Sequence, residues 1–357
     1  MSAGAATAAD ALPDHVISLE LAASRSDDTH ALSLVCRVLD RLGYRVGDAC
    51  SNNDLLNRAQ SRPLYAKLVS RWLIELELAG VVGRRADNVR LLTARYSERL
   101  ENLPTGAPPP YWPHTPDEII AVLRGKMHPL EPMDRAGGIF ETITGYHRDT
   151  PRSRYHNSVV ATLISRYAAA LDARTVRVLE VGAGVGGTTG SVLDALPTER
   201  TTYFFTDISS AFFGFARAQL GNRPTVVYRV FDINDEASKH GLADADFDVV
   251  LASNAIHCAR NLGSTLRSLR RLLVEGGILV LRELTMPRAA HIIMPGLMPG
   301  FSDFSDERIL ASSPLLSKEE WCRILHDTSY DSATVLPDGG PCDLLGEHVI
   351  VARKPTD

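Results

Sequence analysis

Apolar positions recur at helical spacing through residues 14–80, as in "ALSLVCRVLDRLGY" and "PLYAKLVSRWLIELELAG", since a stripe at i, i+3, i+4 and i+7 lies on one helix face. The following "VVGRRADNVRLLT" reads as two short strands around a polar turn, so residues 14–103 are expected to form an N-terminal, mainly helical, winged-helix-like region. The small-residue tail, 1–13, is expected to be disordered. Residues 104–115 fall in the proline-dense "ENLPTGAPPPYWPHTPDE", which suits neither a helix nor a central strand and reads as a linker. Thr115, Pro116 and Glu118 then offer an N-cap, a proline at the first helical position and an acid at N3. A helical lid segment over 116–172 starts there and continues through "NSVVATLISRYAAALDA".

From residue 176 the period changes. "VRVLEV", "TYFFTDI", "TVVYRVFDI", "FDVVLASN" and "GILVLREL" are short apolar runs of the kind that form buried parallel strands, and amphipathic segments such as "LGSTLRSLRRLLVE" separate them. "SATVLP" and "EHVIVAR" add two more strands at the end. The alternation predicts an α/β fold over 173–357, a Rossmann-like, doubly wound sheet with helices on both faces.

Composition narrows the classes. The 357 residues carry a formal net charge of -5, 45% hydrophobic and 23% charged side chains, an ordinary globular balance that gives no electrostatic reason to expect nucleic acid. "LVSRWLIELELAG" sets Arg71 against Glu75 and Glu77, a poor recognition helix, so the front region reads better as a lid or dimerisation module, which leaves a homodimer open. Five scattered cysteines without a CxxC pair argue for a reducing cytosol and against a disulfide framework or structural zinc. The start has no signal-peptide pattern, and no apolar run is long enough for a membrane span, so a cytoplasmic protein without membrane contact is expected.

Candidate chemistry gathers at the ends of the expected strands. "LEVGAGVGG" places Gly182, Gly184 and Gly187 between a strand and a helix, where glycines let the backbone approach a nucleotide-like ligand. The spacing also satisfies G-x-G-x-x-G, so a nicotinamide oxidoreductase is a competing class. Glu180, Asp207 and Asp232 lie at three successive strand ends, at the edge where open α/β sheets bind ligands. Asp207 suits a ribose diol and Asp232 an adenine amino group, with Ile208 and Ile233 as apolar faces for the base. Any one of these acids could instead cap a helix.

The motif order "LEVGAGVGG", "FFTDIS", "VFDIND", "FDVVLASNAIH" and "LLVEGGILVLREL" resembles the class I S-adenosylmethionine-dependent methyltransferases. The resemblance implies a seven-stranded sheet whose last strand is antiparallel. It also implies that Gly182, Ala183 and Gly184 pass the methionine part of the cofactor, with Ser253 and Asn254 beside the methyl group and S-adenosylhomocysteine as product. A narrower likeness over roughly 120–350 includes "HPLEPMDRAGGIFETITGYHRDTPRSRYHNSVVA", "NAIHCARNLGSTLRSLRRLL" and "SSPLLSKEEWCRIL". These are similar to the methyltransferase domains of polyketide and hybrid peptide-polyketide synthases, most of which methylate carbon.

That family's His and Glu fall on His257 and Glu283, and its lid-side Tyr and Asn on Tyr155 and Asn157. An imidazole with a carboxylate on its other nitrogen can take the proton that makes a carbon between two carbonyls nucleophilic. The expected reaction is C-methylation of a β-ketoacyl-like carbon in secondary metabolism, the acceptor being a small molecule or an acyl group on a carrier protein acting in trans. O-methylation of a hydroxyl or enol is the alternative, because the same pair would serve it.

The chain departs from the family after the fifth strand, where "PGLMPGFSDFSDERI" offers Phe301 and Phe304 but no tryptophan, which puts the acceptor in doubt. Trp321, in a helix opened by the capping pair Ser317 and Glu320, is expected to pack, and Cys258 to be a small core residue and no nucleophile. No carboxylate/amide cluster suggests a metal, so turnover in chelator should be unaffected.

Overall fold

The computed structural model describes residues 12–86, 89–101, 113–135, 138–171, 174–221, 223–293 and 295–356. The expected tail up to residue 11, the polar turn at 87–88 and most of the proline-dense linker lie outside the described residues. The chain divides into two compact units, one of 21–142 with 287–314, the other of 1–20, 143–286 and 315–357.

In the first unit, strands β1 (Ala49–Cys50), β2 (Val82–Ala86) and β3 (Val89–Leu92) form an antiparallel sheet in the order β1-β3-β2. β1 is a two-residue strand with no periodicity to reveal it, and only β2 and β3 were legible as strands. Helix Asn52–Ala59 starts where the Ser51 side chain accepts from Asp54 N at 3.2 Å. Helix Ala66–Leu78 turns Leu68, Val69, Trp72, Leu73 and Leu76 into a core shared with Val35, Leu39, Ile119 and Leu123.

Residues 287–314, expected with the α/β sheet, belong to this unit, because Ile293 and Leu297 are fully buried in the same core. Arg288 Nη2 donates to Asp28 Oδ2 at 2.8 Å and Lys67 Nζ to the Ser302 carbonyl at 3.0 Å. The expected lid segment is also divided, at 142/143, its second part joining the sheet. Thr115 and Glu118 form the anticipated capping box at helix Pro116–Leu123.

The second unit is built on seven strands: β4 (Val176–Val181), β5 (Thr201–Asp207), β6 (Val226–Val230), β7 (Phe247–Ser253), β8 (Leu273–Leu284), β9 (Thr334–Leu336) and β10 (Glu347–Arg353). Their order is β6-β5-β4-β7-β8-β10-β9, parallel from β6 to β8, with the last strand, β10, antiparallel to both β8 and β9.

Alternating side chains feed two cores on opposite faces, one with Leu179, Val250, Leu281 and Trp321, the other with Val178, Val249, Val280 and helix Pro151–Ala169. Trp321 is completely buried, in the helix that Ser317 and Glu320 cap as a box. Strand order reverses between β4 and β7, so the ends of β4, β5, β7 and β8 converge at the crevice where open α/β sheets bind ligands. Register brings Ser253 opposite Arg282 and Glu283 opposite His348.

Candidate active site

The glycine loop follows β4 directly. Gly182, Gly184 and Gly186 have φ of 65°, 55° and 80°, a region in which any side chain is strained. A Cβ on Gly182 would also stand 2.5 Å from Ala255 Cβ, so the loop passes the β7 end in contact with it. Ala183 N donates to the Thr206 carbonyl at 2.9 Å and Gly184 N to Asp207 Oδ2 at 3.0 Å, which tie the loop to β5. A cavity opens beside it, and among its lining are six of the residues expected there: Glu180, Gly182, Ala183, Gly184, Ser253 and Asn254. Ile143, His147, Thr188 and Phe212 complete most of the wall.

The other expected binding residues lie outside that lining. Asp207 is buried at the β5 end, its second oxygen accepting from Ser209 N at 2.9 Å, and burial raises its carboxyl above the usual range. Ile208 beside it is 64% exposed. An isoleucine in water next to a buried carboxylate forgoes about 1.5–3 kcal/mol of burial, and a purine face laid over it would recover part of that. Asp232 is half-buried and bonds back to Asn234 N at 2.8 Å, while Ile233 packs partly against the core. The donor set of glycine amides, a carboxylate at the β5 end and an exposed apolar residue fits an adenosyl sulfonium with an amino-acid tail.

Glu180 is buried, and Oε2 accepts from Thr189 Oγ1 at 2.5 Å and Tyr203 OH at 2.7 Å. Burial outweighs those two bonds and pushes its carboxyl up to about 7. Near neutral pH it is therefore poised between acid and carboxylate.

Beyond the end of β7 a 3-10 turn, Ile256–Cys258, carries His257 against the end of β8. The imidazole Nδ1–H donates to Glu283 Oε2 at 2.6 Å, and Ile256 N donates to Glu283 Oε1 at 3.0 Å, so both carboxylate oxygens are fixed. Both side chains are buried. Burial alone would lower the His257 pKa, but Cys258 and Glu283 prevail and raise it well above 6.5. Cys258 is part-exposed, which corrects the expectation of a core residue, and its side chain hydrogen-bonds the imidazole. His257 and Glu283 lie 26 positions apart in sequence and meet because β7 and β8 are adjacent in the sheet.

Several residues of the site escaped the sequence reading. Arg282 and Glu347 form a buried pair, Nε to Oε1 at 2.7 Å, and the same Oε1 accepts from Asn254 Nδ2 at 3.0 Å. Asn254, at φ 50°, also accepts from Leu284 N at 3.1 Å, so its amide is held from both ends even though the residue lines the cavity. Arg282 Nη1 reaches Asn157 Oδ1 at 2.7 Å and Nη2 reaches Ser153 Oγ at 3.0 Å. Burial opposes the Glu347 charge, but Arg282, His156 and Arg152 hold its carboxyl far below the usual range.

Asn157 itself is buried, its Nδ2 donating to the carbonyls of His147 and Gly187, both at 3.1 Å. It supports the wall from outside the lining, and every polar atom of its amide has a protein partner. Tyr155 is also away from the lining, packed edge-on to His156 and hydrogen-bonded to Cys342. In the other unit Phe301 and Phe304 are buried, Phe304 under the Lys67 ammonium 4.4 Å from its ring. Among the described residues no three His, Cys, Asp or Glu side chains gather as a metal site would require, and no helix is long and apolar enough to cross a membrane.

Residues 179–279 match the family described as "Methyltransferase domain". Loop, sheet order and antiparallel last strand match the class I methyltransferase fold, and with the domain match they support an S-adenosylmethionine-dependent methyltransferase over the nicotinamide reading of the glycine spacing. It resembles the carbon-methyltransferase domains of polyketide synthases. The CurJ carbon methyltransferase superposes with a TM-score of 0.85 at 25% identity over 96% of both chains. The DszA carbon methyltransferase gives 0.78 at 26% identity, over 95% of this chain and 93% of that one. A polyketide synthase-nonribosomal peptide synthetase, pyiS of Pyricularia grisea, is 34% identical over 223 residues, 62% of this chain. The chain spans 5% of that relative's length.

Proposed function

We propose that this chain methylates an activated carbon of a β-ketoacyl-like intermediate carried on the pantetheine arm of a carrier protein in trans, with His257 as general base. The observation that carries the reading is the buried 2.6 Å bond from His257 to Glu283 at the parallel-strand edge that also forms the glycine-loop cavity. Its likeness to proteins named carbon methyltransferases supports carbon as the acceptor.

Glu283 keeps Nδ1 protonated, so Nε2 is the nitrogen that accepts the acidic proton between the two carbonyls. The carboxylate cannot swing away, because Ile256 N holds its other oxygen. As the imidazole becomes imidazolium, Glu283 stabilises it in a buried setting where that attraction is stronger than in water. Bound cofactor would supply an electrophilic methyl group. Glu180, Gly182, Ala183, Gly184, Ser253 and Asn254 would hold its methionine end, and Asp207, Ile208, Asp232 and Ile233 its adenosine end, in line with the carbanion. Tyr155 and Asn157 act from behind the wall. The three-stranded sheet and helices of the other unit suit a lid or dimerisation module.

Incubation with methyl-labelled cofactor and a β-ketoacyl carrier protein tests the assignment. Label on the carbon between the carbonyls is expected; label on oxygen by NMR of the released product would overturn the carbon reading.

A further inference from the structure

His147 was invisible to motif reasoning, yet it lines the cavity beside the glycine loop. It sits on a five-residue π turn, Gly145–Asp149, a rare conformation that tends to occur at functional sites. Two donors hold its carbonyl: Asn157 Nδ2 at 3.1 Å and Arg282 Nη1 at 3.4 Å. Its Cβ packs so closely on Gly187 that a side chain there would come within 3.0 Å. Backbone and Cβ are thus fixed, while neither ring nitrogen has a hydrogen-bond partner among the described residues. The polar neighbours differ. Thr188 and Ser253 bond each other at 3.0 Å, and the Asn254 amide is bound at both ends. Burial and the Arg282 charge hold the imidazole down to about 4, so it meets a ligand as a neutral group able to donate and to accept.

We propose that His147 is a further binding residue for the amino-acid end of the methyl donor, and that Arg282, fixed by Glu347, is the residue that positions it. The inference rests on the reading that this cavity receives S-adenosylmethionine. The argument for that end of the ligand is the contact with Gly187 and the shared wall with Glu180 and Thr188. An α-carboxylate and an α-ammonium both require partners there, and a neutral imidazole can serve the first as donor without repelling the sulfonium.

Calorimetry with two probes tests it: S-adenosylhomocysteine, and methylthioadenosine, which lacks the amino-acid end. His147→Ala should weaken S-adenosylhomocysteine binding by about tenfold, the value of one lost hydrogen bond, and leave methylthioadenosine unchanged. Arg282→Lys keeps the charge but loses the fork, and should show the same selective loss at smaller size. Equal weakening of both probes by His147→Ala would mean a merely structural role, and no weakening would mean no contact; either overturns the proposal. Wild-type protein that binds neither probe would overturn the underlying cofactor reading instead, so the two failures are distinguishable.

Discussion

Glu180 makes a quantitative prediction about ligand binding. Its carboxyl stands at about 7 in the folded chain, mainly because burial disfavours the charge. Against an ordinary glutamate near 4.5, that displacement means ionisation costs about 3 kcal/mol in the folded protein, at 1.36 kcal/mol per tenfold. At pH 6 about nine-tenths of the free protein therefore carries the proton. An α-ammonium beside Glu180 would favour the carboxylate, and if the bound group returns to an ordinary value, binding at pH 6 releases about 0.9 proton, falling to nearly none at pH 8.5.

The assay is titration of S-adenosylhomocysteine in two buffers of different ionisation enthalpy at each pH, with Glu180→Gln as control for Asp207 and His257, buried groups near the site that also have raised pKa values. Affinity should tighten as pH rises from about 5 to 7. Linkage sets the sign in the free protein as well: a folded pKa raised above the unfolded one gives a contribution that is intact below about 4.5 and lost as pH rises through about 7. Wild type should therefore lose stability over that window by more than Glu180→Gln does. Heats independent of buffer at pH 6, or the same proton release from Glu180→Gln, would refute the reasoning.

His257→Ala should lower kcat by about 10² to 10⁴, and Glu283→Gln by less. Because Cys258 and Glu283 raise the His257 pKa well above 6.5, the free-base fraction and kcat/KM should rise as pH increases above neutrality, and Glu283→Gln should move that limb to lower pH; a pH profile of both proteins checks it. Gly182→Ala should cost the fold about 1–3 kcal/mol from positive φ alone, plus the clash with Ala255 Cβ, read by melting and by S-adenosylhomocysteine calorimetry. Pairing it with Ala255→Gly should recover only the clash.

What the chain discloses in one dimension is the part of the site whose chemistry is local. The apolar runs marked the strands of the sheet, and for β4, β5, β7 and β8, which are parallel and mostly buried, the residues that end each run fall at the ligand edge by topology alone. Glu180, the glycines and the strand-end acids are visible for that reason. Tyr155 and Asn157 were placed by likeness to the family, and the structure puts both behind the wall, since helix Pro151–Ala169 turns them into protein and not into the cavity.

Arg282 and Glu347 were passed over because a charged residue in an apolar strand normally marks a solvent-facing position. Arg282 is 1% exposed and Glu347 2%, a placement that is stable only because each is the other's partner across 65 residues of sequence. Their remaining polar atoms must be satisfied too, and the groups that do so, Asn157, Ser153, Asn254 and the His147 carbonyl, come from helix Pro151–Ala169, the π turn and the β7 end. A buried charge needs several partners at once, and those partners are drawn from whichever segments pass nearby. The same requirement that made this pair illegible in the sequence therefore makes it the place where the segments around the cavity are tied together.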